Sequence, residues 1–224
     1  MTNPDTPRTL TVHHLGRSQS ERIVWLCEEL GLDYVLERHD RRADNRLAPP
    51  DYKALHPMGT APVITDGPVR LGESAAIVEY LLATRGDGRL AVAPDRAGFA
   101  DYLYWFHFAN GTLQPLVLQL WLVERTAASD DHPVLQSVRR LFDHVFSLVE
   151  RRLGEAPYLA GADFTAADIM AVFSLTTMRL FRPCDLSPWP NILAYLRRIG
   201  ERPAYRRAMH KADPDLVPVL GATG

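Results

Sequence analysis

The sequence has only two cysteines in 224 residues, Cys27 and Cys184, and they lie far apart. Such spacing offers no paired-thiol motif for a metal or for redox chemistry, and two cysteines are typical of a reducing compartment. No segment approaches the roughly 18 apolar residues that span a bilayer, and the polar N-terminus lacks the apolar core of a secretory signal. The formal net charge of −2 gives no basis for binding nucleic acid or an anionic membrane. We therefore expect a soluble, cytoplasmic protein without metal, membrane or nucleic-acid partners.

The first 80 residues carry strand and helix patterns in alternation. Short extended segments are predicted at four places: 9–14, 34–38, 62–65 and 69–71. A helix is predicted over Ser20–Leu30, where apolar residues recur at helical spacing before a stop at Gly31. A second helix is predicted over Ser74–Thr84, after a hairpin that turns at Asp66-Gly67. This order predicts a small mixed sheet with helices packed against it.

The rest of the chain is predicted to be helical. Glycine, aspartate and proline interrupt the pattern between Gly86 and Pro94, as in a linker. Beyond it we predict helices over five segments: Asp95–Glu124, Pro133–Leu153, Thr165–Arg179, Trp189–Glu201 and Pro203–His210. The fold class is therefore an α/β N-terminal domain, residues 1–86, followed by an all-α C-terminal domain, residues 95–224, with a linker at 87–94. Thr165 and Asp168 form a predicted capping box, which we assign to folding.

The most informative motif is the Ala61-Pro62 pair before an apolar run, followed by Glu73-Ser74 at the next helix start. Proline cannot donate to a sheet ladder and disfavours the helical conformation in the residue before it. The backbone of Ala61 is therefore available to pair with a ligand, whereas Ser74 begins a helix whose free N–H groups suit a carboxylate. Together they predict a slot for a short peptide that ends in a carboxylate.

These motifs, with an early Ser-Gln before the first helix and the Asp168 capping box, give the chain its resemblance to a known family. It resembles the cytosolic glutathione transferase superfamily over essentially its whole length, in particular a serine-type bacterial and fungal branch. The resemblance implies a thioredoxin-like N-terminal domain, a cis peptide bond at Pro62, a homodimer, a role in detoxification and glutathione as co-substrate. It also implies that the Ser18 hydroxyl hydrogen-bonds the glutathione sulfur as the catalytic residue.

Two interpretations of Ser18 stay open on the sequence. It also begins a capping box with Glu21, and a capping hydroxyl that accepts from the backbone can still donate to sulfur. Ser20 is the fallback for thiol activation. The resemblance further implies that the Ala61 backbone pairs with the cysteinyl part of glutathione, that Pro62 holds that backbone open, and that Glu73 and Ser74 bind the γ-glutamyl amino and carboxylate groups.

Thr60 departs from the family pattern, because many members have a basic or amide residue there. The glycine carboxylate of glutathione then needs charge from elsewhere, and six residues are candidates: Arg17, His39, Arg41, Arg42, Lys53 and His56. A second-substrate pocket is expected on the aromatic segment 102–108, with Tyr104, His107 and Asn110 on one helix face; most of these aromatics are also explained as core.

Three functions fit these residues. The first is a glutathione S-transferase that adds the glutathione thiolate to a hydrophobic electrophile. The second is a glutathione-dependent disulfide or peroxide reductase that uses the same site. The third is a non-catalytic scaffold that keeps the fold. The intact set of Ser18, Ala61-Pro62 and Glu73-Ser74 favours the enzymes over the scaffold.

Overall fold

The computed structural model describes residues 9–223, and the chain divides into two compact units. The first unit comprises the chain up to Asp87 together with Pro203–Leu216. The second unit comprises Gly88–Arg202 and the chain from Val217 onward. No helix among residues 9–223 is long and apolar enough to cross a membrane.

The first unit is built on a four-stranded mixed sheet. Its elements up to the boundary are β1 (Leu10–Leu15), α1 (Glu21–Leu30), β2 (Val35–His39), α2 (Pro50–Lys53), β3 (Val63–Asp66), β4 (Val69–Gly72) and α3 (Ser74–Arg85). The strand order is β2-β1-β3-β4. β1 runs parallel to β2 and antiparallel to β3, which pairs antiparallel with β4. The predicted β-α-β, β-β-α order and the hairpin are confirmed.

Helix α1 supplies much of the core of this unit. Ile23, Leu26 and Cys27 are fully buried on it, as their helical spacing predicts. The helix ends at Gly31, whose φ of 61° lies in the left-handed region that glycine adopts readily. Burial raises the pKa of the Cys27 thiol to about 12, so this cysteine is a core thiol rather than a nucleophile.

The second unit is helical. Its elements are α4 (Phe99–Phe108), α5 (Gln114–Thr126), α6 (Pro133–Glu155), α7 (Ala166–Leu175) and α8 (Pro190–Glu201). The expectation of one helix over Asp95–Glu124 is wrong, because a π-helical turn, Ala109–Leu113, separates α4 from α5. Asn110 and Gly111 lie in that turn, and both are weak helix formers. The helix predicted over Thr165–Arg179 likewise ends at Leu175 and continues as a 3-10 turn over Thr177–Leu180.

The capping box at the start of α7 is confirmed and extends further than predicted. Thr165 accepts a hydrogen bond from the Ala167 N–H at 3.3 Å, and the Asp168 carboxylate accepts from the Thr165 N–H at 2.9 Å. Asp168 also accepts from the Leu159 N–H and the Tyr195 hydroxyl, each at 3.0 Å. Burial raises the pKa of Asp168 to about 6, in spite of these donors. This carboxyl therefore joins three segments of the helical unit.

The last helix, α9 (Pro203–Ala212), returns to the first unit and packs on α1. The Trp25 and Tyr205 rings meet edge to face with centroids 4.9 Å apart. Glu28 on α1 pairs with Arg207 at 3.0 Å and with Lys211 at 2.5 Å. These contacts bring Asp213, the residue after α9, to the loop between β1 and α1.

Candidate functional site

The loop between β1 and α1 is held from both sides. Both carboxylate oxygens of Asp213 accept from the Arg17 N–H at 3.1 Å. Arg41 donates to the carbonyl of Gly16 at 2.8 Å and to that of Arg17 at 3.3 Å. A Cβ at Gly16 would approach Asp213 Oδ1 to 3.2 Å, so glycine permits this close contact. The loop therefore presents the next residue, Ser18, in a defined position at the start of α1.

Ser18 is buried, with 5% of its surface exposed, and its hydroxyl lies 2.7 Å from the Ser20 hydroxyl. It also accepts from the Ser20 N–H at 3.2 Å, whereas the Glu21 N–H donates to the Ser18 carbonyl. The N-cap of α1 is Ser20, so the interpretation of Ser18 as the N-cap is wrong. The helix itself begins one residue after Ser20. The two serines named as candidates for thiol activation are thus hydrogen-bonded to each other.

The hydrogen bonding continues inward from Ser20. Its hydroxyl lies 2.9 Å from His14 Nδ1 and accepts from the Leu15 N–H at 3.1 Å. His14 Nε2 lies 3.1 Å from Asp213 Oδ2, and His14 is fully buried. A polar chain of four side chains therefore runs inward from Ser18 through Ser20 and His14 to Asp213.

The segment predicted to form the slot lies beside this loop. The Ala61–Pro62 peptide bond is cis, as the family resemblance implies, and it directly precedes β3. The amide of Gln19 donates to the Ala61 carbonyl at 2.8 Å. A carbonyl oxygen has two lone pairs, so it can accept a second hydrogen bond from a ligand. The side chain of Gln19, the residue after Ser18, thus connects this loop to Ala61.

The start of α3 forms the other end of the site. Ser74 is buried, and its hydroxyl donates to Gln19 Oε1 at 3.4 Å. Arg22 Nη1 donates to Ser74 Oγ at 3.3 Å and to Gln19 Oε1 at 3.0 Å. Burial lowers the pKa of Arg22 to about 9, which still leaves the guanidinium protonated at neutral pH. A positive charge therefore lies under the N-terminus of α3, where a carboxylate would bind.

Glu73 is exposed and has a backbone φ of 70°. Residues other than glycine adopt this region at a cost of about 1–3 kcal/mol, and such residues cluster at binding sites. Its side chain makes no capping hydrogen bond to α3. The conformation therefore supports a ligand-binding assignment for this glutamate.

Four of the six candidates for the glycine carboxylate have local partners. Arg41 donates to the loop carbonyls, and Arg42 pairs with Asp44 at 2.6 Å. His39 lies 3.5 Å from the Glu37 carboxylate. His56 accepts from the Met58 N–H at 3.3 Å. Arg17 and Lys53 are the two whose side chains are exposed and near the loop and slot in sequence. Thr60 is exposed.

A separate histidine cluster lies on the opposite face of β1. His13 pairs with Glu37 at 2.9 Å, and His39 lies 3.5 Å from the same carboxylate. Their nitrogen and oxygen atoms lie within 4.8 Å of one another, but Glu37 is half exposed and already paired. We interpret the group as a hydrogen-bonded cluster, because burial lowers the pKa of His13 and favours its neutral form. Because neighbouring strand residues point to opposite faces, it is separate from the His14 network.

The second unit has an open groove of about 600 Å³ between α4 and α6. Its lining is mostly apolar and aromatic: Leu103, Tyr104, His107, Phe108, Thr112, His144, Val145 and Leu148. Two of the three residues expected on the substrate-binding face, Tyr104 and His107, are among them. The third, Asn110, is not in this lining and lies in the π-helical turn.

Comparison with known proteins identifies the family. A family model described as the N-terminal domain of glutathione S-transferase matches residues 17–84, and one described as its C-terminal domain matches residues 104–203. Glutathione S-transferase 3 of Schizosaccharomyces pombe is 31% identical over 223 residues, which cover 94% of this chain and 91% of that protein. The chain belongs to the cytosolic glutathione transferase superfamily.

Other relatives of this transferase agree in fold. The crystal structure of a glutathione S-transferase from Actinobacillus pleuropneumoniae has a TM-score of 0.84 and 32% identity, covering 92% of this chain and 93% of that one. A theta-class enzyme from Xanthomonas axonopodis pv. citri with glutathione bound has a TM-score of 0.69 and 28% identity, with coverage of 90% and 97%. The disulfide-bond oxidoreductase YfcG of Escherichia coli K12 is 26% identical, with coverage of 85% and 90%. The predicted family and fold class of this transferase are therefore confirmed.

Sequence reasoning assigned no role to four residues that contact the candidate site residues: His14, Gln19, Arg22 and Asp213. One signal was available for His14. Leu10, Val12 and His14 alternate along β1 and share its buried face, and a histidine among core residues requires polar partners. Asp213 had no comparable signal, because it lies 199 residues from His14.

Proposed function

We propose that this transferase binds glutathione in the Ala61–Pro62 slot and uses Ser18 to activate its thiol. The observation that carries the proposal is the position of Gln19. Its amide group contacts both the Ala61 carbonyl and the Ser74 hydroxyl, and its backbone follows Ser18 directly. The peptide slot and the carboxylate site therefore share one hydrogen-bonded side chain, which is covalently adjacent to the proposed sulfur-activating residue.

In this proposal each part of glutathione has its own binding residues. The γ-glutamyl amino group pairs with Glu73, and its carboxylate meets the N-terminus of α3 at Ser74 above Arg22. The cysteinyl backbone pairs with Ala61 as an added strand would, with Pro62 and Thr60 on either side. The sulfur then lies at Ser18. The glycine carboxylate is left for Arg17 or Lys53.

Ser18 acts on the ionisation of the thiol. A free thiol has a pKa near about 8.5, and the thiolate is the nucleophile. A charge-assisted hydrogen bond of roughly 1.5–3 kcal/mol would lower that pKa by about one to two units. The positive end of α1 acts in the same direction. The thiolate then attacks an electrophilic carbon, forming a C–S bond as the leaving group departs or a strained ring opens.

The second substrate is proposed to have a hydrophobic body. The groove of the helical unit has the aromatic and apolar lining that binds such bodies, with Tyr104 and His107 as polar contacts. The family resemblance also supports a homodimer that acts in the cytoplasm. Size-exclusion chromatography with light scattering measures the oligomeric state directly.

A second candidate function is glutathione-dependent disulfide or peroxide reduction at the same site. The relationship to YfcG, named as a disulfide-bond oxidoreductase, favours it. Ser18 would stabilise the attacking thiolate in either reaction, so the residues of the site do not distinguish the two. The two functions are distinguished by which class of substrate the protein turns over, a carbon electrophile or a disulfide or peroxide.

The experiment is a turnover panel of aryl halides, epoxides, organic peroxides and small disulfides, run with wild type, Ser18→Ala and Ser147→Ala. Ser147 is exposed on α6 and serves as the matched control. We expect turnover of a carbon electrophile to fall about 10- to 100-fold in Ser18→Ala, the equivalent of the lost hydrogen bond, and to persist in the control. Turnover of disulfides alone would favour the second candidate. Absence of a thermal shift with millimolar glutathione would indicate a scaffold.

A further inference from the structure

Ser18 and the three side chains beneath it form a continuous hydrogen-bonded chain. Its three links are 2.7 Å from Ser18 to Ser20, 2.9 Å from Ser20 to His14, and 3.1 Å from His14 to Asp213. Ser20 and His14 are fully buried, and Ser18 is nearly so. Water is therefore excluded from the inner part of the chain, and the protons must be shared among these groups.

The chemistry of the donors fixes where the protons lie. A carboxylate only accepts hydrogen bonds, so the His14 Nε2 that faces Asp213 carries a proton. In the neutral imidazole the other nitrogen, Nδ1, is then an acceptor. The Ser20 hydroxyl has two acceptors within reach, His14 Nδ1 at 2.9 Å and the Leu15 carbonyl at 3.4 Å. The shorter contact takes its single proton, which therefore points to His14.

The hydrogen bonds that Ser20 already makes determine the direction in which the Ser18 hydroxyl donates. Ser20 Oγ already accepts from the Leu15 N–H, so its second lone pair receives the proton of Ser18. Ser18 Oγ in turn accepts from the Ser20 N–H, which leaves it one lone pair for a ligand. While His14 is neutral, Ser18 therefore faces a bound thiol as an acceptor.

We propose that Ser18, Ser20 and His14 form a proton relay that carries the thiol proton of bound glutathione to His14. The thiol proton moves to Ser18 Oγ, the Ser18 proton to Ser20 Oγ, and the Ser20 proton to His14 Nδ1. The S–H bond breaks and an N–H bond forms, and each serine regains one proton. The products are a thiolate that accepts from Ser18 and an imidazolium that donates to Asp213.

The surroundings of His14 suit this positive charge. The Asp213 carboxylate contacts His14 directly. Burial raises the pKa of Asp213, but the hydrogen bond and charge of His14 and the hydrogen bond from the Arg17 N–H lower it by more. The pKa of Asp213 is therefore below its usual range, and the carboxylate is ionised. Three basic residues face the same region from the loop and from β2: Arg17, Arg38 and Arg41. Asp213 offsets their repulsion because it contacts His14 directly.

This inference rests on the proposed function and adds His14, Ser20 and Asp213 to it as positioning residues. It differs from simple donation by Ser18 in one measurable way. If Ser18 only donated to the sulfur, removal of the Ser20 hydroxyl would release the Ser18 proton and strengthen the contact. If the relay operates, the same change interrupts the proton path.

The test measures the pKa of glutathione bound to the protein from its thiolate absorbance in the ultraviolet, across a pH series. The proteins are wild type, Ser18→Ala, Ser20→Ala, His14→Asn, Asp213→Asn and the control Ser147→Ala. Calorimetry measures glutathione affinity, and the pH profile of kcat/KM is recorded in parallel. We expect Ser20→Ala and His14→Asn to raise the thiol pKa by about one unit, a tenfold loss of thiolate at neutral pH, with affinity within about threefold.

Asp213→Asn keeps an acceptor for His14 but removes the charge, and it is expected to raise the thiol pKa in the same direction. Asp213→Asn therefore tests the relay even if Ser20→Ala fails to fold. An unchanged or lower thiol pKa in a folded Ser20→Ala variant would overturn the relay, and so would a wild-type thiol pKa in Asp213→Asn. In either case a loss of thiolate in Ser18→Ala would still support the proposed function. A wild-type protein that binds no glutathione would overturn both.

Discussion

The side-chain amide of Gln19 donates to the backbone carbonyl of Ala61 at 2.8 Å, across 42 residues of sequence. The loop that carries Ser18 and the slot that receives the peptide are therefore linked by one side chain. Gln19→Ala removes this link, and we expect glutathione affinity to fall about tenfold, the equivalent of one hydrogen bond of about 1.4 kcal/mol. Calorimetry measures it. Gln119→Ala, on the exposed face of α5, is the matched control and should bind as wild type does.

Arg22 places its charge beneath Ser74 by donating to both Ser74 and Gln19 from one nitrogen. In Arg22→Lys the charge is kept, but a flexible ammonium replaces the planar fork. We expect weaker glutathione binding, by about tenfold, with a smaller change in the rate at saturating glutathione. The exposed Arg151→Lys on α6 is the control. A change confined to kcat, with KM for glutathione unaltered, would contradict the placement of the γ-glutamyl carboxylate at Ser74.

Glu73 offers a test in which stability and affinity move in opposite directions. Glycine adopts its φ of 70° without a Cβ clash, so Glu73→Gly should raise the free energy of unfolding by about 1 kcal/mol. Loss of the carboxylate should weaken glutathione binding at the same time. Arg46 has a φ of 59° in a surface loop, and Arg46→Gly should stabilise the protein without affecting affinity. Denaturant unfolding and calorimetry give the two values, and unaltered affinity in Glu73→Gly would remove Glu73 from the site.

Local sequence patterns predicted the order of strands and helices in the first unit. Period-two and helical patterns, with turn residues such as Asp66-Gly67 and the stop at Gly31, predicted the β-α-β and hairpin order of the first unit. Proline before β3 and serine at the start of α3 indicated the place of the proposed slot. These are local signals, and each depends on residues that are close in sequence.

The features that sequence reasoning missed depend on contacts between distant residues. Asp213 reaches His14 because α9 folds back onto α1, and its own neighbourhood has no pattern that indicates this. Arg22 looks like an ordinary polar position of a helix, and its complete burial follows only from the packing around α1. The left-handed backbone of Glu73 is equally hidden, because glutamate rarely adopts that region.

Asp168 predicts a pH dependence of stability. Its folded pKa, about 6, is raised above the roughly 3.9 of an unfolded aspartate. A raised pKa means that the group's contribution is complete below about pH 4 and is lost as the pH rises through about 6, by on the order of 3 kcal/mol. In Asp168→Asn this loss is absent. We therefore expect the stability advantage of wild type over Asp168→Asn to narrow between about pH 4.5 and 7.

Chemical unfolding at the two pH values measures this difference. The hydrogen bonds from Leu159 and Thr165 favour the ionised carboxylate, whereas burial opposes it. An advantage that widens with pH would show that the hydrogen bonds outweigh burial at this position.

In the proposed mechanism Ser18 makes bound glutathione ionise. The most direct measurement is the thiolate absorbance of glutathione at saturation on wild type and on Ser18→Ala, at a pH about one unit below the free thiol pKa of about 8.5. We predict mostly thiolate on wild type and about a tenth or less on the variant, with glutathione bound in both. Equal thiolate on the two proteins would contradict the account.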